Sequence, residues 1–389
     1  LVPGKFFENH VLTSSLARTV IEVVLVVFAV VWVILTLDTL RLTRLIKAGP
    51  TARGFVAAFA IVALVATAGT SAYGAFLAGT ANSFVSSVLK STRAAQPPVD
   101  GRYNIMLLGG DAGAGRVGLR PDSISVVSIN AKTGAVTMIG IPRDMQKVPF
   151  VKGSPLYGPY PDGYNCGVNC LVSFLYTYGQ AHPSLYPNAK KDDSSPGIEA
   201  TRDAVEGILG ITIQYYVLVD MEGFSKLIDA LGGVTIDVTE KLPINGGQAA
   251  DGTPIDVDGW IYPGVQKLNG YKALWYVRSR HSTSDYDRMA RQRQLETAVL
   301  AQFTPSTVIT KFQQLAEAGK EIVTTDIPQS MLGTLLDLAD KARRQKVKQL
   351  ELVPPTVFEP APDFVQIRTL VKEELAGTLS SPAATTTDG

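Results

Sequence analysis

The sequence predicts an α/β protein: an αβα sandwich around a central mixed β-sheet, preceded by two transmembrane helices. Three observations carry that expectation. Two long apolar stretches, Val20 to Leu37 and Gly54 to Gly79, stand near the N-terminus. Beyond them, short β-rich runs interleave with helical patterns, the order of a sheet covered by helices. The first of the β-rich runs, Tyr103 to Gly109, is ended by glycines with Asp111 just beyond, where strand gives way to loop.

The apolar stretches come first in the chain. Val20 to Leu37 holds only Glu22 and Thr36 as polar interruptions, and Gly54 to Gly79 holds no charge; each is about the length of a bilayer span. Residues 38–53 carry Arg41, Arg44, Lys47 and Arg53 against Asp38. Short loops rich in Lys and Arg stay on the cytoplasmic side, so the remainder of the chain is expected outside the cytoplasm, with residues 1–19 outside as well. Two buried core helices are the alternative. A cleaved signal fits poorly, because the stretches are too long and the first is not terminal.

Residues 80–101 turn to Ser, Thr, Ala and Pro and are expected as a stalk. The folded domain is expected over 102–378, with 379–389 a disordered tail. Tyr103 to Gly109 predicts a strand buried on both faces. Ser123 to Asn130 and Ala135 to Ile141 flank Ala-Lys-Thr-Gly and predict a hairpin; if Asn130 pairs with Ala135, Asp122 lies beside Arg143. Further strands are expected at Thr212 to Val219 and Val234 to Val238. Helices are expected at Met221 to Ala230, Asn269 to Val277, Asp285 to Phe303 and Gln329 to Arg344.

Composition excludes several functions. A formal net charge of +1 offers nucleic acid no general attraction, so no nucleic-acid partner is expected. Three histidines and two cysteines, scattered through the chain, give zinc chemistry little material.

What remains is arginine and aspartate. Asp111 follows Gly109 and Gly110; Arg120, Asp122 and Ser123 open the next strand; Arg143 and Asp144 follow the hairpin. Arg278 and Arg280 precede the run Asp287-Arg288-Met289-Ala290-Arg291-Gln292-Arg293. On a helix, Arg288, Arg291, Gln292, Leu295, Ala298 and Val299 share one face. A core-facing stripe that begins with guanidinium groups calls for an anion, since unpaired buried charge is expensive. Guanidinium forks grip phosphate oxygens in pairs while carboxylates hold Mg2+ on the same oxygens, which suits a di- or triphosphate. Ordinary ion pairs, such as Arg120 with Asp144, are the competing reading.

In this order the motifs resemble the LytR-CpsA-Psr proteins of the bacterial cell envelope. The resemblance runs from about Tyr103 to Leu300 and rests on the strand ending in Asp111, Arg120-Pro121-Asp122-Ser123, Ile141-Pro142-Arg143-Asp144, and Ala273-Leu274-Trp275-Tyr276-Val277-Arg278-Ser279-Arg280 ahead of Arg291-Gln292. It implies an extracytoplasmic phosphotransferase that moves a phosphate-linked glycopolymer from a polyprenyl pyrophosphate carrier to a cell-wall acceptor such as peptidoglycan. By that resemblance Asp111 and Asp122 are the Mg2+ carboxylates. Arg120, Arg143, Arg278, Arg280 and Arg288 form the pyrophosphate clamp with Gln292 beside them. Lys147 departs from the pattern, standing where family members show another arginine or a different loop.

Other signals are weaker. Gly113-Ala-Gly115-Arg-Val-Gly118 matches the dinucleotide fingerprint, but that motif must open a helix and here Pro121 and a β-rich run follow. Ser87-Val-Leu-Lys90 lies in the stalk without companion motifs. Cys166 and Cys170, with three residues between them in an exported loop, are expected to form a small disulfide, with a reduced pair the alternative. His281 beside the arginines is left out of the site. Two rival functions use the same residues: a binding or regulatory protein for the lipid phosphate or wall polymer, and a pyrophosphatase of the lipid carrier.

Overall fold

The computed structural model describes residues 15–42, 50–89, 93–111, 120–249, 253–279, 285–302 and 323–378. The chain forms two units, Leu1–Ser87 with Gln329–Thr334 and Val88–Pro328 with Leu335–Gly389. The expectations for residues 1–14, for most of the basic loop and for the tail 379–389 lie outside the described residues.

In the N-terminal unit, α1 (Ser15–Leu42) and α2 (Pro50–Val88) are long helices. Within α2, Gly54–Phe76 is long and apolar enough to cross a membrane by length and composition; the apolar part of α1, Val23–Thr39, is shorter. Of the two expected spans, only the second meets that measure among the described residues. Inside both helices Thr36, Thr39, Thr67, Thr70 and Ser71 donate their hydroxyls to the carbonyl four residues back at 2.5 to 2.8 Å. That satisfies each hydroxyl within its own helix, as an apolar surrounding requires. The helix runs on to Val88, so the first part of the expected stalk is helical rather than irregular.

The second unit is built on a six-stranded mixed sheet. Its strands are β1 (Arg102–Asp111), β2 (Arg120–Asn130), β3 (Val136–Ile141), β4 (Tyr215–Asp220) and, beyond the separate ribbon β5 (Val234–Val238) with β6 (Gly264–Leu268), β7 (Val323–Thr325) and β8 (Lys348–Glu351). The order is β7-β4-β1-β2-β3-β8, with β1 parallel to β4 and β8 parallel to β3. The β2–β3 hairpin has the expected register, Ile124↔Ile141 to Ile129↔Val136. Its turn is made locally. Asn130 Oδ1 accepts the amides of Lys132 and Thr133 at 3.0 and 2.9 Å, and Gly134 takes a φ of +73°.

Strand β4 starts at Tyr215 rather than at the expected Thr212, because side chains claim the preceding backbone. The Ile213 amide donates to Glu206 Oε1 at 2.6 Å, and Asn104 Nδ2 donates to the Thr212 carbonyl at 2.8 Å. Helices cover both faces of the sheet. On one, α3 (Pro196–Leu209) buries Ala200, Ala204 and Ile208 against Met106, Leu108, Val126 and Ile139, with α8 (Phe364–Ala376) adding Ile367 and Val371. Toward the other lie α4 (Met221–Ala230), α5 (Gly270–Arg278) and α6 (Asp285–Gln302), which match the expected helices closely. α7 (Leu332–Ala342) falls inside the last expected helix.

Candidate functional site

The β1–β2 ladder runs from Arg102↔Asn130 to Gly109↔Ser123 and then slips, so that Gly110 pairs with Pro121 and Asp111 with Arg120. Asp122 is the extra residue of this bulge. Bulges re-aim a side chain out of the regular alternation, and Pro121, lacking an N–H, is tolerated at one. Here the Asp122 carboxylate meets Arg143 Nη1, and Arg143 Nε lies 3.5 Å from Asp144 Oδ1. The expected juxtaposition of Asp122 and Arg143 is present, with both side chains largely buried at 22% and 15% exposure. The backbone of Arg143 is supported by the disulfide loop. Cys166 and Cys170 are joined, and shortly after them the Ser173 amide donates to the Arg143 carbonyl at 3.1 Å.

Asp122 and Arg143 line a cavity of about 840 Å³ between the sheet and helices α4, α5 and α6. Leu107, Val127, Met138 and Val217 supply its sheet wall; Phe224, Leu227, Leu274, Val277, Leu295, Val299 and Leu300 supply the helical one. The cationic lining is Arg143, Arg278 and Arg288. All three come from element ends: the turn two residues past β3, the last residue of α5 and the first turn of α6. Val127 and Met138, in contrast, sit mid-strand. The cations therefore gather where the strands and helices terminate, while most of the remaining wall is apolar.

Helix α6 presents its residues differently from the expected stripe. Arg288, Gln292, Leu295, Glu296, Val299 and Leu300 line the cavity, so the face is rotated toward Glu296 and Leu300 and away from Arg291 and Ala298. Arg291 instead donates to the carbonyl of Tyr276 at 2.9 Å. Arg278 lies over the Trp275 ring, 5.1 Å from its centroid. On the opposite flank, Arg293 is 1% exposed; it pairs with Glu296, donates to Ser123 Oγ at 3.3 Å, and has Glu351 Oε1 3.5 Å from its Nε. Burial pushes the Glu296 carboxyl up against the pull of Arg293 and Ser125, and burial likewise pushes Glu351 up to about 7.

Of the expected site residues, the structure gathers Asp122, Arg143, Arg278, Arg288 and Gln292 at one cavity. Asp111 and Arg120 pair with each other through the backbone beside it. Their side chains, Arg280 and His281 lie outside the described residues, as does the glycine-rich 113–118 segment, although strand β2 rather than a helix follows it. Lys147 is exposed with a φ of +54° and does not line the cavity. Two lining acids were not anticipated. Asp220 follows from the parallel β1–β4 pairing, which sets it against Gly110, and it caps α4 by accepting from Gly223 N at 2.7 Å. Glu296, one turn beyond Gln292, carried a period-4 signal that the stripe reading passed over. Among the described residues no group of three or more His, Cys, Asp or Glu is placed to hold a metal ion.

The LytR_cpsA_psr family model matches residues 77–361, spanning the sheet, the bulge and all three helices of the cavity. The chain belongs to this family. It is 28% identical over 254 residues to the polyisoprenyl-teichoic acid–peptidoglycan teichoic acid transferase TagU of Halalkalibacterium halodurans, a match covering 64% of this chain and 69% of that one. It is 26% identical over 280 residues to biofilm regulatory protein A of Streptococcus mutans, covering 70% of this chain but 62% of that one. The crystal structure of Bacillus subtilis TagV shares the fold, with a TM-score of 0.52 at 24% identity over 72% of this chain and 98% of that one.

Proposed function

We propose that this chain is an extracytoplasmic phosphotransferase, moving a phosphate-linked glycopolymer from a polyprenyl pyrophosphate carrier to a cell-wall acceptor such as peptidoglycan. One observation carries the reading: an apolar cavity of about 840 Å³ whose cations are Arg143, Arg278 and Arg288. Its chemistry suits an amphiphile with a long hydrocarbon tail and a multiply charged anionic head. The name of the TagU relative supports the reaction class, and the family supports the wall acceptor. In this reading α1 and α2 both cross the membrane and residues 38–53 face the cytoplasm, as their four cations against one acid favour.

Arg143, Arg278, Arg288 and Gln292 hold the pyrophosphate, with Arg120 and Arg280 completing the set. The acceptor sugar hydroxyl attacks the phosphorus nearest the glycopolymer. A new phosphodiester forms, the bridging P–O bond breaks, and polyprenyl phosphate leaves. Fixed guanidinium groups stabilise the charge that gathers on the phosphoryl oxygens, and the hydroxyl proton passes to a carboxylate at the mouth. A hard cation suits this donor set. Asp122 in the bulge and Asp111 on the neighbouring strand end offer oxygens alone, and two protein carboxylates completed by phosphate and water are what Mg2+ commonly accepts. Mg2+ bound there would neutralise phosphate charge.

The test uses the full chain in detergent with lipid-linked polymer and peptidoglycan. Covalent attachment with release of polyprenyl phosphate is expected. Asp122→Ala should lose attachment by about 100-fold while still binding the lipid pyrophosphate. Attachment retained in that variant would sink the catalytic role and favour a holding or regulatory protein, the reading suggested by the name of the Streptococcus mutans relative. Free polymer released without acceptor would instead mark a pyrophosphatase.

A further inference from the structure

Helix α5 delivers Arg278 to the cavity from its final position, and helix ends are where backbone carbonyls lack intrahelical partners. These carbonyls are met from α6. Arg291 Nε donates to the carbonyl of Tyr276 at 2.9 Å and Nη2 donates to that of Ser279, so one guanidinium spans both sides of Arg278. Next to it, Gln292 Nε2 donates to the Val277 carbonyl at 3.4 Å. The third arm of the fork, Nη1, donates to Glu240 Oε1 at 2.8 Å. Arg291 is 5% exposed and does not line the cavity. A guanidinium at a helix C-terminus is also favoured by the helix dipole, and its planar fork can hold two carbonyls and a carboxylate in a fixed relation where an ammonium cannot.

We infer that Arg291 is a positioning residue: it fixes the end of α5, and thereby the Arg278 guanidinium, against the helix that carries Arg288 and Gln292. The binding energy of the anionic head then depends on Arg291 although Arg291 never touches it. This rests on the pyrophosphate reading above. The spacing of two cations from different helices is set by a third, buried arginine whose own charge is met by Glu240.

A double-mutant cycle tests it in the full chain, with farnesyl pyrophosphate as the probe and calorimetric affinity as the readout. Arg291→Gln should weaken binding about tenfold in the native background but less than about twofold when Arg278→Ala is already present, because the two act through one contact. Arg291→Lys, which keeps the charge opposite Glu240, should still weaken binding severalfold and should show the same coupling; it also serves if the Gln variant fails to fold. Equal losses in both backgrounds, or full affinity with only a lowered melting temperature, would overturn the inference and leave Arg291 a purely structural residue. The site reading fails separately, and the inference with it, if the native chain does not bind the probe or if Arg278→Ala alone binds it as well as the native chain.

Discussion

Glu351→Gln removes a buried, poorly compensated charge behind the site. Glu351 sits on β8 facing Gly140, where an added Cβ would lie 2.0 Å from Glu351 Oε2, and neither carboxylate oxygen has a hydrogen-bond partner. Arg293, the cation beside it among the described residues, is shared with Glu296. Burial therefore raises the carboxyl from 4.5 to about 7. Below pH 4.5 the group is protonated in both folded and unfolded chains and costs nothing. As the pH rises toward 7 the unfolded chain releases the proton while the folded chain keeps it, so stability falls; above 7 the full cost remains. A rise from 4.5 to about 7, at about 1.36 kcal/mol for each tenfold change in proton affinity, is worth roughly 3 kcal/mol. A glutamine is neutral throughout, so the variant should gain on the native chain by about 3 kcal/mol between pH 4.5 and pH 8. Urea unfolding at a series of pH values, followed by tryptophan fluorescence, measures this. A stability gap that does not change with pH, or that grows toward acid, would refute the argument.

Val127→Trp places bulk on the sheet wall of the cavity. It should weaken binding of a long polyprenyl pyrophosphate by tenfold or more while leaving inorganic pyrophosphate within about twofold, as competition binding can show. Gly207 in α3 faces backbone: an added Cβ would lie 2.3 Å from the Pro149 carbonyl oxygen and 2.6 Å from the Phe150 carbonyl carbon. Gly207→Ala should therefore destabilise the domain by about 2 kcal/mol despite alanine's better helix propensity, seen as a lowered melting temperature.

Much of the site was legible because its parts are local. The hairpin register followed from a four-residue turn whose chemistry, Asn130 and Gly134, is written in the sequence, and it brought Asp122 to Arg143. The helices α4, α5 and α6 announced themselves by apolar spacing; that Asp220 and Asn269 cap the first two came only with the structure. What was not legible depends on partners far along the chain. The rotation of α6 is tied to Arg291 reaching Glu240, 51 residues away, and the bulge at Asp122 exists only once β1 and β2 are paired. The edge strands β7 and β8 are short and joined to their neighbours from distant segments, and the cavity walls come from strands and helices with no shared motif. Helix α3 could have been found: Ser195 and Pro196 open it and Gly210, with a φ of +69°, closes it.

The central claim is that one cavity takes both ends of a lipid pyrophosphate, and a crystal structure of the chain with a polyprenyl pyrophosphate tests it most directly. The account predicts the two phosphates on Arg143, Arg278 and Arg288 beside Asp122, with the tail running past Val127 and Leu300. A head group bound elsewhere, or a tail lying outside the cleft while these arginines touch no phosphate, would contradict it.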